Sequence, residues 1–246
     1  MVPRMTGRLL AAALLWLAAF VVPANAQTTT HRAQAVVELY TSQGCTQCPR
    51  ANRLIGMFSR EDETLALTFP VAIWDYLGWH DTFAQPEFTN RHRAYSRTLH
   101  VRGRFTPQLV YNGASQLSAS NWDEARAMLD QTRANSIANA LDVRIMRPQT
   151  NRVRVTIGSS ARRPPADIWL IAFDPGPVTI FVTDGANRSR RIDHYNLVRR
   201  IERLGVWNGE AIYFEHGRCN PECAVLVQEP AGGRIIAAAY TTGSRD

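Results

Sequence analysis

The feature that most constrains the fold of this 246-residue chain is a change in hydrophobic period near residue 136. From residue 35 to about residue 133, short apolar runs alternate with segments of helical period, which is typical of a sheet with crossover helices. Beyond that point the helical period disappears and apolar residues recur at every second position, as in strands that have one buried and one exposed face. The sequence therefore predicts two domains, an α/β domain at 33–136 and a β-rich domain at 137–246.

The order of elements follows from the same patterns. The first domain is predicted to run β-α-β-α-β-β-α, beginning with a buried strand at Val36–Tyr40 and with Pro86 at the start of its second helix. In the second domain, turn signals such as residues 174–177 separate the apolar runs. An all-β, sandwich-like domain is expected there.

The N-terminus is typical of a secretory signal peptide. Arg4 and Arg8 precede an apolar run at 9–22, and a small-residue cleavage triplet ends at Ala26. After residue 26 no stretch reaches the roughly 18 apolar residues that a membrane span requires. The sequence predicts a periplasmic or secreted protein with no membrane span once residues 1–26 are removed.

Composition excludes several other classes. The formal net charge is +7, and it falls to +5 without the signal segment, which carries two arginines and no acid. This mild charge does not predict a nucleic-acid partner, since phosphate binding needs basic residues gathered on one face with aromatics. There is no phosphate-binding glycine loop, GxSxG or HExxH motif, so neither a cofactor nor nucleotide, acyl-hydrolase or zinc-protease chemistry is predicted.

The sharpest motif is the CxxC pair Cys45 and Cys48, directly after the first strand and opening the first helix. A cysteine at a helix N-terminus faces unpaired amide donors and the positive end of the dipole, which favours the thiolate. Cys45 is the predicted nucleophile, and Cys48 the thiol that resolves a mixed disulfide. A structural disulfide or half of a zinc site is the alternative for such spacing.

A second stretch carries a resemblance to a known superfamily. Together with the CxxC, residues 105–113 (FTPQLVYNG) look like the thioredoxin superfamily. The resemblance implies that the Thr106–Pro107 bond is cis, that it packs against the two cysteines, and that the backbone of Thr106 meets an extended partner peptide. An ordinary trans proline at the start of an edge strand is the alternative.

Four segments carry a closer resemblance: residues 37–45, 74–79, 106–108 and 223–228. In this order they resemble a bacterial exported family within that superfamily, the domain of unknown function 1223. The resemblance implies a two-part architecture and a redox or binding role, with no known substrate. Gly44 stands where thioredoxins have a tryptophan, and Thr46-Gln47 lies between the cysteines, so the direction of electron flow does not carry over.

An aromatic loop follows the second predicted strand. Because ligands collect at the carboxyl ends of parallel strands, Trp74, Tyr76 and Trp79 are predicted to lie beside Cys45 and to form a substrate-docking surface. Asp75 and His80 in the same loop are candidates for proton transfer. The alternative is a loop folded back on itself, with its carboxylates capping turns.

The second cysteine pair, Cys219 and Cys223, brackets Pro221 in a loop before a late strand. In an oxidising compartment these two are expected to form a structural disulfide. Two other roles stay open: an electron relay to the CxxC pair, and a copper or zinc site completed by His216.

The sequence thus favours an exported thiol-disulfide oxidoreductase that acts on the thiols or disulfides of envelope or secreted proteins through Cys45 and Cys48. The first alternative is a non-catalytic binding module whose disulfides are inert. The second is a copper or zinc carrier.

Overall fold

A computed structural model describes residues 29–138, 140–147, 152–161, 165–217 and 219–242, so the predicted signal peptide lies outside the described residues. The helices are α1 (Cys48–Phe58), α2 (Pro86–Thr98) and α3 (Trp122–Ala134). The strands are β1 (Thr29–Arg32), β2 (Ala35–Thr41), β3 (Thr64–Pro70), β4 (Gln108–Tyr111), β5 (Ser115–Ser118), β6 (Val143–Met146), β7 (Val153–Ile157), β8 (Ala166–Asp174), β9 (Val178–Val182), β10 (Arg190–His194), β11 (Leu197–Trp207), β12 (Ile212–His216), β13 (Glu222–Gln228) and β14 (Ile235–Thr242). None of the helices within these ranges combines the length and hydropathy needed to cross a bilayer.

The centre of the protein is one mixed sheet of nine strands in the order β1-β14-β13-β8-β11-β3-β2-β4-β5. Strands β2 and β3 are parallel, and so are β3 and β11, which meet where Leu197 lies opposite Thr68. The other pairs in this sheet are antiparallel. The sheet therefore runs without interruption from the N-terminal half of the chain into the C-terminal half.

This topology corrects the predicted fold class. A thioredoxin-like β-α-β-α-β-β-α domain followed by a separate β sandwich is wrong: the described chain is mainly strand, with three α-helices against the nine-stranded sheet. The physical reason is visible in β13, all seven residues of which are buried, because β13 lies between β8 and β14 and is covered on both faces. The domain boundary near residue 136 stays a prediction.

Each face of the sheet is covered differently. One face packs against α2 through Phe88 and Tyr95. The opposite face is covered by α1 and α3 over β2, β3 and β4, and by a three-stranded sheet, β12-β7-β6, over β8, β13 and β14. Helices and a second small sheet thus share one face of the large sheet.

A buried polar cluster ties α2 to both halves of the sheet. Arg91 of α2 donates from Nη2 and Nε to the Glu38 carboxylate at 2.6 and 3.1 Å, and from Nη1 to Oε1 of Gln228 at 3.0 Å. Glu38 lies on β2 and Gln228 on β13. Because removal of one partner from a buried ion pair leaves an uncompensated charge, a single substitution here costs roughly 3–5 kcal/mol.

The hairpin of β9 and β10 packs on α1 rather than joining the large sheet. Nδ2 of Asn52 on α1 donates to the carbonyl of Asp193 at 3.0 Å. A Cβ on Gly56 would lie 2.7 Å from the ring of Tyr195, so glycine permits this close approach. The hairpin is therefore held beside the start of α1, where the CxxC motif lies.

His194 of β10 is fully buried, with Nδ1 3.4 Å from the carbonyl of Val178, while Nε2 has no partner among the described residues. Burial lowers the pKa of His194 to about 4 and, in the same way, that of His92. Both imidazoles are therefore neutral at physiological pH.

Candidate functional site

The CxxC motif lies in the turn between β2 and α1, at the carboxyl edge of the parallel strands. Cys45 and Cys48 form a disulfide with Cα atoms 5.3 Å apart. The N–H of Cys45 donates to the carbonyl of Ser42 at 3.1 Å, and that of Cys48 to the carbonyl of Cys45 at 3.2 Å. Helix α1 begins only at Cys48, so Cys45 precedes the helix by three residues instead of lying in its first turn.

The two cysteines of the pair differ in the exposed fraction of the residue. Cys45 is 8% exposed and Cys48 is 0% exposed. Cys45 is thus the member of the pair that a partner can reach, and Cys48 is sealed beneath it. The predicted roles of nucleophile and resolving thiol need this order of exposure.

The segment before β4 borders the disulfide. The Thr106–Pro107 peptide bond is cis, and the carbonyl oxygen of Thr106 lies 3.6 Å from Sγ of Cys45. Pro107 is buried at the start of β4, next to β2 in the sheet. Residues distant in sequence therefore meet at the accessible sulfur.

The aromatic loop lies on the same side. Nε1 of Trp74 donates to Oγ1 of Thr106 at 2.7 Å. A Cβ at Gly44 would lie 3.0 Å from Cβ of Trp74, so the space for a side chain at position 44 is already occupied. Tyr76 is 75% exposed, with its ring centroid 6.2 Å from that of Trp74, and Leu77 is 46% exposed. We call Trp74, Tyr76 and Leu77 the apolar ledge.

Trp79, predicted to belong to the docking surface, is placed differently. Its Nε1 donates to Oε1 of Gln43 at 2.8 Å, and its Cβ would lie 2.9 Å from a Cβ on Gly185. Trp79 thus packs between the cysteine loop and the β9–β10 hairpin. Its contacts support the loop that carries Cys45.

Asp75 and His80 form a pair within the aromatic loop. Nδ1 of His80 lies 2.5 Å from Oδ2 of Asp75, and the His80 side chain is exposed. The other oxygen of Asp75 accepts from the N–H of Asp81 at 3.1 Å. Among the described contacts none joins Asp75 or His80 to a cysteine sulfur, and their part in proton transfer stays a prediction.

The structure adds a buried acid that the sequence analysis missed. Oδ2 of Asp81 accepts the N–H of Gln43 at 2.7 Å, and Oδ1 accepts those of Phe83 and Ala84 at 3.0 and 3.2 Å. Burial raises the pKa of Asp81 to about 6; the three N–H donors oppose that rise, and the charge of Asp75 adds to it. Asp81 fixes the cysteine loop from the side of the aromatic loop.

Asn187 was also missed. It lies in the turn of the β9–β10 hairpin, is fully buried, and donates from Nδ2 to the carbonyls of Gln43 and Cys45, both at 2.8 Å. Nη1 of Arg190 donates in turn to Oδ1 of Asn187 at 3.2 Å. The sequence signalled only a turn there, and nothing local indicated that it reaches the CxxC motif.

The second pair, Cys219 and Cys223, also forms a disulfide, with Cα atoms 5.6 Å apart around a cis Asn220–Pro221 bond. Its sulfurs lie in the core under the three-stranded sheet, where the residues are 4% and 0% exposed. Nη2 of Arg147 lies 3.2 Å from Sγ of Cys223 and donates to the carbonyl of Pro221 at 2.7 Å. This pair is enclosed by protein.

The other two predicted roles of this pair lack a geometric basis. Nε2 of His216 lies 3.0 Å from a Glu202 carboxylate oxygen, and the described residues include no group of three His, Cys, Asp or Glu side chains suited to a metal ion. Four strand spacings, about 19 Å, separate β2 from β13, so the two disulfides do not meet for direct exchange.

Together, the sheet and the edge disulfide define a mixed α/β protein with a partly accessible cystine at the carboxyl ends of its parallel strands. The chain belongs to the family described as protein of unknown function (DUF1223), whose model matches residues 36–228. The comparison with curated proteins gave no match.

Two solved structures resemble the chain. Protein AGR_C_4864 from Agrobacterium tumefaciens is 25% identical, with a TM-score of 0.73 over 87% of this chain and 96% of that one. HBP35 of Porphyromonas gingivalis is 15% identical, with a TM-score of 0.63 over 87% of this chain and 76% of that one. The second likeness concerns the fold alone.

Proposed function

We propose that this protein carries out thiol-disulfide exchange with other exported proteins through Cys45 and Cys48. The observation that carries the proposal is the asymmetry of the pair: Cys45 is reachable and bordered by Thr106 and the apolar ledge, whereas Cys48 is sealed. Exchange requires an accessible attacking sulfur and a second thiol within bonding distance that a partner cannot attack first.

In the reducing direction the exchange has two steps. The Cys45 thiolate attacks one sulfur of a partner disulfide, forming a mixed disulfide and releasing the other partner sulfur as a thiolate, which takes a proton from water. The Cys48 thiol loses its proton to water, and its thiolate attacks Cys45 Sγ and releases the second partner sulfur as a thiolate, which also takes a proton from water. The partner disulfide gains two electrons and becomes a dithiol, while the protein dithiol becomes the Cys45–Cys48 disulfide; oxidation of a partner reverses these steps.

The surroundings of Cys45 fit a polypeptide partner. An extended segment that crosses Cys45 would meet the backbone at Thr106 and Pro107 on one side and the apolar ledge on the other. Exposed aromatic and aliphatic side chains at the ledge offer contact area that is already ordered before binding. We therefore assign Thr106, Pro107, Trp74 and Tyr76 to partner binding.

The test uses three variants of the full mature chain. Cys45→Ala is expected to abolish exchange with a model protein disulfide, and Cys48→Ala to accumulate mixed disulfides visible on a non-reducing gel. The control, Cys219→Ser with Cys223→Ser, is expected to retain exchange. A folded wild-type protein that neither reduces nor oxidises any dithiol substrate would contradict the proposal and favour the binding-module alternative.

We further propose that the protein works outside the cytoplasm. The N-terminal signal pattern and two disulfides both suit an oxidising compartment. Expression in a bacterial host with fractionation, followed by N-terminal sequencing, is expected to give periplasmic or secreted protein that begins at Gln27. An unprocessed chain confined to the cytoplasm would contradict it.

A further inference from the structure

Arginines border the accessible cysteine on two sides. Arg102 and Arg104 are exposed and lie just before Thr106, whose carbonyl contacts Cys45. Arg188 and Arg190 are exposed on the β9–β10 hairpin and follow Asn187, whose side chain binds the Cys45 carbonyl. We call these four residues the arginine rim.

The charge of the rim is not neutralised locally. Within the described chain, none of the ion pairs involves Arg102, Arg104, Arg188 or Arg190. The neighbouring acidic side chains pair with or accept hydrogen bonds from groups other than these arginines. Asp75 pairs with His80, Asp81 binds backbone N–H groups, and Asp184 accepts the N–H of Gly185.

The third side of the cysteine loop is mixed in charge. Arg50 lies over the ring of Trp122 at 5.1 Å, and Asp123 and Glu124 occupy the first turn of α3. On this third side acidic and basic residues lie together, whereas the two sides that form the rim carry arginines. The apolar ledge lies next to the hairpin side, because a Cβ on Gly185 would lie 3.4 Å from the carbonyl of Leu77.

From this arrangement we propose that the preferred partner of the Cys45 site is an acidic extended polypeptide, with carboxylates flanking its reactive cysteine and an apolar side chain resting on the ledge. The inference rests on the proposed exchange function and adds the class of partner. A rim of one sign around a small reactive group steers oppositely charged partners and raises their association rate, an effect that salt suppresses.

The test compares two peptides that differ only in four residues flanking one cysteine, Glu in one and Lys in the other. Each carries that cysteine as a mixed disulfide with 5-thio-2-nitrobenzoate. Attack by Cys45 on the peptide sulfur releases the coloured thiolate, and Cys48 then releases the peptide thiol. The full mature chain is reduced beforehand with dithiothreitol and separated from it, so each protein dithiol reduces one mixed disulfide.

For the wild-type protein we expect the Glu peptide to react about tenfold faster than the Lys peptide at low salt, with the ratio falling toward about twofold at high salt. Arg104→Glu combined with Arg188→Glu is expected to abolish or invert this preference. The matched control is Arg60→Glu together with Arg53→Glu, which makes the same charge change on α1; Arg60 lies beyond its far end, about 18 Å from Cys48.

Each outcome has one meaning. Equal rates for the two peptides at low salt, or an equal loss of preference in the control variant, would overturn the acidic-partner inference while leaving the exchange function intact. Absence of coloured thiolate release from both peptides would instead overturn the exchange function on which the inference rests. A salt-sensitive preference lost only in the rim variant supports both.

Discussion

The two disulfides of this protein have nearly the same Cα separation and different surroundings. Their Cα separations are 5.3 and 5.6 Å, and each closes a short loop around or beside a proline. Cys45 lies at the carboxyl ends of the parallel strands, bordered by a backbone carbonyl, an exposed aromatic side chain and arginines. Cys219 and Cys223 lie within the core. Spacing tells whether two sulfurs can bond, and surroundings decide whether anything else can reach them.

The largest difference between the two disulfides is expected in their rates of selective alkylation. Under mild dithiothreitol with a thiol-reactive label, Cys45 is expected to be modified at least about 1000-fold faster than Cys219 or Cys223, because the second pair needs local opening of the core. Peptide mapping by mass spectrometry measures both rates. Equal labelling of the two pairs in folded protein would remove the distinction between them.

Replacement of each pair by serines compares the contributions of the two disulfides to the free energy of unfolding. A short closed loop contributes roughly 2 kcal/mol by restriction of the unfolded chain, and this contribution is nearly equal for the two pairs. Cys219 and Cys223 also belong to an apolar core cluster that does not include Cys45 and Cys48. Cys219→Ser with Cys223→Ser is therefore expected to lower the free energy of unfolding by about 3 kcal/mol, against about 2 kcal/mol for Cys45→Ser with Cys48→Ser. Urea unfolding measures both; the reverse order would contradict the assignment of the core pair as the structural one.

A third prediction concerns pH, because the first cysteine loop is anchored by a carboxyl group with a raised pKa. Burial raises the pKa of Asp81 to about 6 from 3.8, so its contribution to stability is complete below pH 3.8 and is lost as pH rises through about 6. Asp81→Asn is therefore expected to gain about 2 kcal/mol of unfolding free energy relative to wild type between about pH 4.5 and about pH 7.5.

The Asp81 comparison is made as a difference between two proteins, which cancels the effect of protonating the buried histidines in acid. Asp184→Asn, in the neighbouring hairpin turn, controls for the removal of one surface charge. Parallel stability curves for Asp81→Asn and wild type would show that the carboxyl is ionised throughout this range.

The smallest expected effect is at the second pair. Arg147 contacts Cys223, the carbonyl of Pro221 and Oγ1 of Thr241, and it pairs with the carboxylate of Glu222 at 3.6 Å. Arg147→Leu is therefore expected to cost about 1.5 kcal/mol in chemical unfolding. Arg144→Leu on the same strand is the matched control, since Arg144 is exposed and pairs only with Asp142. We expect that control to change stability by less than about 0.5 kcal/mol; an equal loss in both variants would deny Arg147 a special role.

Local elements could be predicted from the sequence because their signals are local. Pro86 with apolar residues at helical spacing predicts a helix, and α2 spans Pro86–Thr98. The sheet order could not be predicted in this way. The contact between Thr68 and Leu197 joins residues far apart in the chain, and hydrophobic period does not say which strand a strand will pair with.

Some residues of the candidate site could likewise be predicted from the sequence, and others could not. Cys45 and Trp74 could be expected to meet because loops after parallel strands converge at one edge. The position of Thr106 beside Cys45 was expected only from the resemblance to the thioredoxin superfamily. Asp81 and Asn187 could not be predicted, since their roles depend on backbone groups of Gln43 and Cys45 that carry no side-chain signature. Asn187 also comes from a hairpin whose docking on α1 is a tertiary event.

The pairing of β1 with β14 has a consequence for biosynthesis. The first described strand finds its partner only in the last one, with Thr29 opposite Thr242. The ribosome therefore delivers β1 long before β14, the strand with which it pairs. Sheet closure has to wait until β14 has emerged, and chains truncated before β14 would be left with an uncovered edge open to aggregation.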